Sequence, residues 1–310
     1  MKIVALEPYL TDLIVAFGGG SRLIGVGSRC RIAPDAAHPA VITSKPAAPS
    51  TKAPVGDDER LAAGLTTDRL NLQALVELKP DVVMTRCTEQ DTESFVSWAQ
   101  AELEKRVGKR VLVESFAPDT MSALYQMYED VAECLGDSRR GQELAQRTKA
   151  QIQDWTRSFY ERARNKKVTV LASVEPLMLA TGLMSDLVRG VTGQPQQRAE
   201  GRENTPFTWE EVVEFRSDVI IVAPCGASLQ ESIAALKKLE ALDGWESVPA
   251  VKRGEVVFCA GTSLYLPGPE FLRSAAIVVS AMAGLDSGYI TLKDEYFRLR
   301  FIELHRHRFV

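Results

Sequence analysis

The chain has 310 residues, enough for two domains with separate cores, and its 45% hydrophobic and 25% charged content is ordinary for a soluble globular protein. A formal net charge of −4 gives no reason to expect nucleic acid or an anionic membrane as partner, and no apolar run approaches the roughly 20 residues needed for membrane insertion. Cys30, Cys87, Cys134, Cys225 and Cys259 are scattered, odd in number and never in a CxxC pair, which argues for a reducing compartment and against a disulfide framework or a zinc knuckle.

Met1 and Lys2 run directly into IVAL, with no cationic n-region, apolar h-region, cleavage site or lipid-attachment cysteine. The sequence as written is therefore expected to be cytoplasmic, and periplasmic only if a leader had been removed ahead of it. Ile3 to Leu6 predicts a buried strand, with Glu7, Pro8 and Tyr9 as the loop at its carboxyl end. Thr11 and Asp12 open a short helix that ends at Gly18 to Gly20. LIGVGS is a second strand, and CRIAPDAAHPAVITSKPAAPSTKAP is a proline and alanine rich excursion too irregular for an element. Asn71 caps a helix that leads into the strand Val82 to Thr85 and the loop Arg86, Cys87, Thr88. Ser94 to Lys105 is another helix and RVLVESF another strand.

Ser138 to Arg164 is the longest helical pattern. Leu144, Thr148, Ile152, Trp155 and Phe159 form one apolar stripe at spacings of three and four, no proline interrupts it, and its length would be roughly 40 Å. Val168 to Ala172 then begins a second series: the loop Ser173 to Leu179, the strand VIIV ending in Pro224, Cys225 and Gly226, and VVFCAGTSLYLPGPEF leading into an apolar helix, Phe271 to Met282. From Asp286 the pattern is unclear, although FRLRF alternates like a strand.

The two series repeat one another. LQALVELKPDVVM (Leu72 to Met84) and WEEVVEFRSDVII (Trp209 to Ile221) align without a gap, pairing Val76 with Val213, Glu77 with Glu214, Lys79 with Arg216 and Asp81 with Asp218. The expectation is an α/β protein of two Rossmann-like lobes joined by one long rigid helix. Its boundaries are 1–118 for the first lobe, 119–165 for the helical segment, 166–286 for the second lobe and 287–310 for a C-terminal extension. Ligands of open α/β sheets gather at the carboxyl ends of strands, which singles out Tyr9, Arg29 to Arg31, Arg86 to Thr88 and their second-lobe counterparts.

The motifs ALEPYLTDLIVAFGG with LIGVG, LVELKPDVVM, TGLMSDLVRGVTG, FTWEEVVEFRSDVIIV and LPGPEFLRSAAIVVSAMAG follow one another as in the class III substrate-binding proteins of ABC importers, and the resemblance covers the chain to about Leu285. Through CRIAPDAAHPAVIT, VIIVAPCGASL and GWESVPAVKRGEVVF it is most similar to the leaderless branch labelled cobalamin-binding protein. The resemblance implies two lobes bridged by a long helix, a ligand held between them with modest closure, and docking to a membrane permease through one glutamate on each lobe. Glu210 matches the second of these, whereas Gln73 occupies the first. The arginine usual after the GP pair is Glu270 here, and the paired cysteines common in that branch are reduced to Cys87.

The implied ligands are cobalamin first, then haem or a ferric siderophore. A corrin needs apolar faces and scattered donors. Tyr9, Met178, Met184, Phe207 and Tyr265 are candidates for faces; Arg29, Arg31, Asn204 and Ser263 are candidates for polar contacts. Met178 and Phe207 are equally candidates for core. Of the three histidines, His38 lies in the irregular excursion and His305 and His307 in the tail, so no three-histidine metal site is expected. Cys30, Cys87 and Cys225 all follow strands and are candidate soft ligands, with small buried cysteines as the bland alternative. No GxSxG, HExxH or Walker loop is present; Glu7 and Glu175, each beside a proline, are a candidate carboxylate pair or two rim residues. The sequence thus points to a non-catalytic binding protein for a small-molecule metal chelate, with an ABC permease as possible partner. Its rival is a cytosolic protein that processes or hands over cobalamin through the cysteines.

Overall fold

A computed structural model describes residues 1–31, 38–45, 56–196 and 205–299. Two compact units emerge, one formed by Met1–Ala117 with Met127–Glu143, the other by Pro118–Gln126 with Leu144–Val310. In chain order the first series contains β1 (Ile3–Ala5), α1 (Pro8–Ala16), β2 (Leu23–Val26), β3 (Ala40–Val41), β4 (Thr43–Ser44), α2 (Asp57–Leu65), β5 (Arg69–Leu70), α3 (Leu72–Leu78), β6 (Val82–Thr85), α4 (Thr92–Val107) and β7 (Leu112–Ser115). Two helices follow, α5 (Met121–Cys134) and α6 (Ser138–Ser158), each contributing residues to both units.

The second series contains α7 (Tyr160–Ala163), β8 (Lys167–Val174), β9 (Leu177–Leu179), α8 (Leu183–Gly190), β10 (Gln194–Pro195), β11 (Thr205–Pro206), α9 (Trp209–Phe215), β12 (Val219–Val222), α10 (Leu229–Ala234), α11 (Leu236–Glu240), α12 (Pro249–Arg253), β13 (Val256–Cys259), α13 (Gly261–Leu264), α14 (Phe271–Ala283) and β14 (Tyr296–Leu299). The first sheet has the parallel order β3-β2-β1-β6-β7, with β4 and β5 as a separate antiparallel pair. The second runs β11-β9-β8-β12-β13-β14, with β10 beside β8. Its central pairs β8·β12 and β12·β13 are parallel, while β9, β11 and β14 pair antiparallel. The central strands of both sheets are almost continuously apolar because helices cover both faces.

The internal repeat extends to backbone conformation and hydrogen bonding. The helices α3 and α9 are both seven residues long, and both end at a left-handed cation, Lys79 at φ 49° and Arg216 at φ 57°. The aspartate two residues later does the same work in each. The Asp81 carboxylate accepts the Lys2 backbone N–H at 2.6 Å and holds the Lys109 ammonium, while Asp218 accepts the Lys167 N–H at 2.9 Å and pairs with Arg253 at 2.6 Å. In each unit this ties the turn before one strand to the start of its parallel neighbour.

Five elements differ from the sequence expectation, the first being the loop expected over Ser173 to Leu179, where β8 runs on to Val174 and β9 pairs back on it. α1 starts at Pro8, whose fixed φ and missing N–H suit the first helical position, so Tyr9 lies inside the helix instead of in a loop. The irregular excursion contains the short strands β3 and β4, which apolar patterning does not mark because each is two residues long. α6 stops at Ser158 instead of Arg164: Phe159 leaves helical geometry at φ −114° and ψ 14° and turns its ring edge-on to Tyr289. Its 21 residues span about 32 Å. The buried line on α6 is Gly141, Ala145, Thr148 and Ile152, with Leu144 and Trp155 half-buried, so the stripe is centred on small residues. A Cβ on Gly141 would stand 2.3 Å from the Tyr128 carbonyl oxygen and 2.8 Å from the Ala132 Cβ, which fixes how closely α5 and α6 approach there. The described part of the unclear C-terminal stretch includes β14, the alternating segment, paired with β13.

Candidate functional site

In the first unit, the carboxyl ends of all four main parallel strands converge. Glu7 follows β1, Arg29 follows β2, Arg86 follows β6 and Phe116 follows β7. The Arg29 guanidinium spans two buried carboxylates, with Nε 3.1 Å from Asp68 Oδ2 and Nη2 3.3 Å from Glu7. Burial pushes the Glu7 carboxyl above its ordinary value, and the positive charges of Arg29 and Arg86 oppose that shift. The Tyr9 hydroxyl donates to the Phe116 carbonyl, and burial raises its pKa strongly. Tyr9 is thus turned inward as a strut between the ends of β1 and β7. Arg31 and Arg86 are exposed residues after these strands, as is Arg29, whose guanidinium is already paired with Glu7 and Asp68.

The two cysteines of this edge are sheltered. The Cys30 thiol meets Thr11 Oγ1 at 3.2 Å, and Cys87 is buried with its N–H donating to Ser115 Oγ. Burial raises both thiol pKa values, which disfavours the thiolate that a soft metal ligand requires.

In the second unit the corresponding edge is formed by Val174 at the end of β8 and Glu175 after it, Pro224 and Cys225 after β12, and Ala260 after β13. Gly261 is required there, because a Cβ would fall 1.9 Å from the Pro224 carbonyl oxygen. Leu177, Met178 and Tyr265 are half-buried, and Cys225 is exposed. The Tyr265 hydroxyl is buried and finds no hydrogen-bond partner among the described residues; burial raises its pKa, and the neighbouring Cys225 and Cys259 add to the effect. Met184 and Phe207 go inward, at 4% and 8% exposure, and Phe207 packs with Leu171, Leu179 and Trp209. They offer a ligand little surface.

Glu7 and Glu175 are each neutralised within their own unit, by Arg29 and by Lys238. Among the described residues no group of three or more histidine, cysteine, aspartate and glutamate side chains is arranged to hold a metal ion. Asn204, His305 and His307 lie outside the described residues, and His38 is exposed. Gln73 and Glu210 occupy the same second position of α3 and α9, both exposed. Gln73 donates to Glu77 at 2.9 Å, while the Glu210 carboxylate is held below the usual range by hydrogen bonds to its own backbone and to Thr208. The sequence reading missed Asp68, Thr43 and Phe116. Asp68 carries no signal of its role: it lies in the polar run Thr66, Thr67, Asp68, Arg69, and its partners Ser28, Arg29 and Thr43 come from distant positions. No described helix is long and apolar enough to cross a membrane.

A family profile described as periplasmic binding protein matches residues 3–261. The chain is 24% identical over 267 residues to an uncharacterized ABC transporter substrate-binding lipoprotein, YvrC, of Bacillus subtilis, covering 82% of this chain and 71% of that one. Its fold is similar to that of the periplasmic haem-binding protein RhuT of Roseiflexus sp. RS-1, at 20% identity and a TM-score of 0.63, covering 91% of this chain and 98% of that one. The vitamin B12 binding protein BtuF of Vibrio cholerae gives 15% identity and a TM-score of 0.65, with 92% and 98% covered. IsdE of Staphylococcus aureus, solved with haem, gives 14% identity and a TM-score of 0.66, with 91% and 98% covered. At such identities the structural likeness establishes the fold, and the site must be argued from its own residues.

Proposed function

The chain belongs to the periplasmic binding protein family, and on that premise we propose that it is a non-catalytic substrate-binding protein of the ABC transporter type whose ligand is a metal chelate, cobalamin before haem or a ferric siderophore. The observation that carries the reading is the unlike chemistry of two edges built on one repeated scaffold. The first presents the exposed arginines Arg31 and Arg86 beside the carboxylate-paired Arg29; the second presents Leu177, Met178 and Tyr265. Guanidinium donors suit the polar rim of such a chelate, and half-buried apolar groups suit its flat face. Exposed guanidiniums also suit haem propionates, and this favours haem as the second ligand.

Purified protein mixed separately with cobalamin, haem and a ferric siderophore, and followed by visible spectroscopy with calorimetry, tests the proposal. Saturable binding at about micromolar affinity to one of the three is the expected result. Absence of binding to all three sinks it. The exposure of Cys225 favours a processing or hand-over protein as the alternative. Cys87→Ser and Cys225→Ser separate the two, since a receptor loses affinity at most whereas a processing protein loses turnover of bound cobalamin.

Delivery to an ABC permease is proposed to use the exposed positions Gln73 and Glu210. Glu210→Gln should leave ligand affinity unchanged while weakening co-purification with the permease. The five thiols support a proposed cytoplasmic location; recovery of the native protein in a periplasmic fraction would contradict it.

A further inference from the structure

The second unit carries a cavity of about 400 Å³ at the amino ends of its strands, the opposite end from Cys225 and Tyr265. It is lined by Val213 and Arg216 at the end of α9, Ser247, and Pro249, Lys252 and Arg253 of α12. Arg216 lies three residues before β12 and Arg253 three before β13. Three of the six lining residues are cations and none is an acid. Only Arg253 is neutralised, by Asp218 at 2.6 Å; Arg216 and Lys252 are exposed, with no ion-pair partner among the described residues. The Arg216 backbone is fixed by bonds from its N–H to the Val212 and Val213 carbonyls, both at 3.2 Å, so the guanidinium projects from a held turn. Val213 and Pro249 supply an apolar wall beside the two charges.

We propose that this cavity is a second ligand site, independent of the metal-chelate reading, for a small organic phosphate monoester. Its dianionic head would lie on Arg216 and Lys252 and its carbon body on Val213 and Pro249. Arginine offers a planar fork to phosphate oxygens, and lysine adds a point charge. The cavity is far larger than one phosphate group and falls within the range of small-molecule pockets, which is why an ester is favoured over the inorganic ion. The same head group is available from free metabolites and from phosphatidic acid, and the two sources separate experimentally.

Phenyl phosphate titration by calorimetry at low ionic strength is the first arm, and co-sedimentation with phosphatidylcholine vesicles containing phosphatidic acid is the second. The variants are Arg216→Asn with Lys252→Gln, asparagine being chosen because it tolerates the left-handed backbone at this position. Charge-keeping Arg216→Lys with Lys252→Arg serves as the folding control; Arg253 is left intact to preserve its bond to Asp218. The proposal expects saturable binding in one arm, a loss of roughly tenfold or more in the charge-removing pair, and retention in the charge-keeping pair. Binding in the first arm identifies a soluble ester, and binding in the second alone identifies a lipid. Binding in neither arm, or binding unchanged by removal of both charges, overturns it.

Discussion

Replacing Arg29 by methionine, which keeps most of the side-chain volume, should expose how the first edge is held together. Arg29 contacts Asp68 at 3.1 Å and Glu7 at 3.3 Å, and the acids' side chains are only 2% and 9% exposed. Two charge-assisted contacts at about 1.5–3 kcal/mol each set a ceiling of about 3–6 kcal/mol. Arg29 itself is 47% exposed, so water takes over part of its role, and a loss of about 2–3 kcal/mol at neutral pH is expected. The pH dependence has a definite sign. The folded-state pKa of Glu7 is already raised above 4.5 by burial, with Arg29 the foremost opposing charge. Removing Arg29 raises it further. A carboxyl raised on folding contributes stability that is fully present below its unfolded value and is lost as pH rises through the folded value. The deficit of the variant should therefore be largest at neutral pH and shrink as pH falls toward 4.5. Urea unfolding followed by circular dichroism at about pH 7.5 and about pH 5 measures both values. A deficit below about 0.5 kcal/mol at neutral pH, or one that grows on acidification, would refute the assignment of Arg29 as the counter-ion of this edge.

Gly141→Ala should lower the melting temperature by a few degrees despite alanine's helix preference of about 1 kcal/mol, because its Cβ meets the Tyr128 carbonyl at 2.3 Å; thermal unfolding giving an increase would show that α5 and α6 can part there. Arg298→Met should cost about 3–5 kcal/mol, since Arg298 pairs with Glu255 and its Nη2 donates to the Ser280, Ala281 and Leu285 carbonyls at 3.1–3.3 Å, closing the end of α14. Adding Glu255→Gln should recover part of that loss in urea unfolding, and no recovery would locate the cost in the carbonyl contacts alone. Tyr9→Phe should cost about 1–2 kcal/mol by leaving the Phe116 carbonyl unpaired; unchanged stability in the same assay would show that this oxygen finds another donor.

The two-lobed α/β fold was legible because its signals are local and occur twice. The αL cations Lys79 and Arg216, the aspartates behind them and the apolar strands that follow could be aligned residue by residue, and each pair has one structural role. What escaped depended on packing or on very short elements. Pro8 begins a helix because its φ suits the first turn, but the sequence around it reads equally well as a loop. Phe159 fits the α6 stripe by spacing, and only its contact with Tyr289 accompanies the break. Site residues were legible as strand-following positions without their partners. Arg29 was found, whereas Asp68, which lies 39 residues further along, had no pattern to announce it. Aromatic and sulfur side chains were the least decidable class, since hydrophobicity cannot separate a half-buried Met178 from the buried Met184.

The repeat also separates positions that serve the scaffold from positions left to diverge. Where a residue closes the helix-to-strand turn, both copies keep the same chemistry: a cation able to sit at positive φ, then an aspartate that holds the first strand's N–H. A change there would undo the register of a central strand, so both copies meet the same physical demand. At the carboxyl ends that demand is absent and the copies part. Glu7 is buried under Arg29, while Glu175 is exposed and paired with Lys238; Gln73 stands where Glu210 stands in the other copy. Differences confined to positions the fold does not constrain are the ones that binding and docking can use. The exchange of charge between Gln73 and Glu210 falls on exposed side chains whose bonds stay local, Gln73 to Glu77 and Glu210 to its own backbone and Thr208. The fold does not require that asymmetry, which leaves the second unit with a surface carboxylate where the first has an amide.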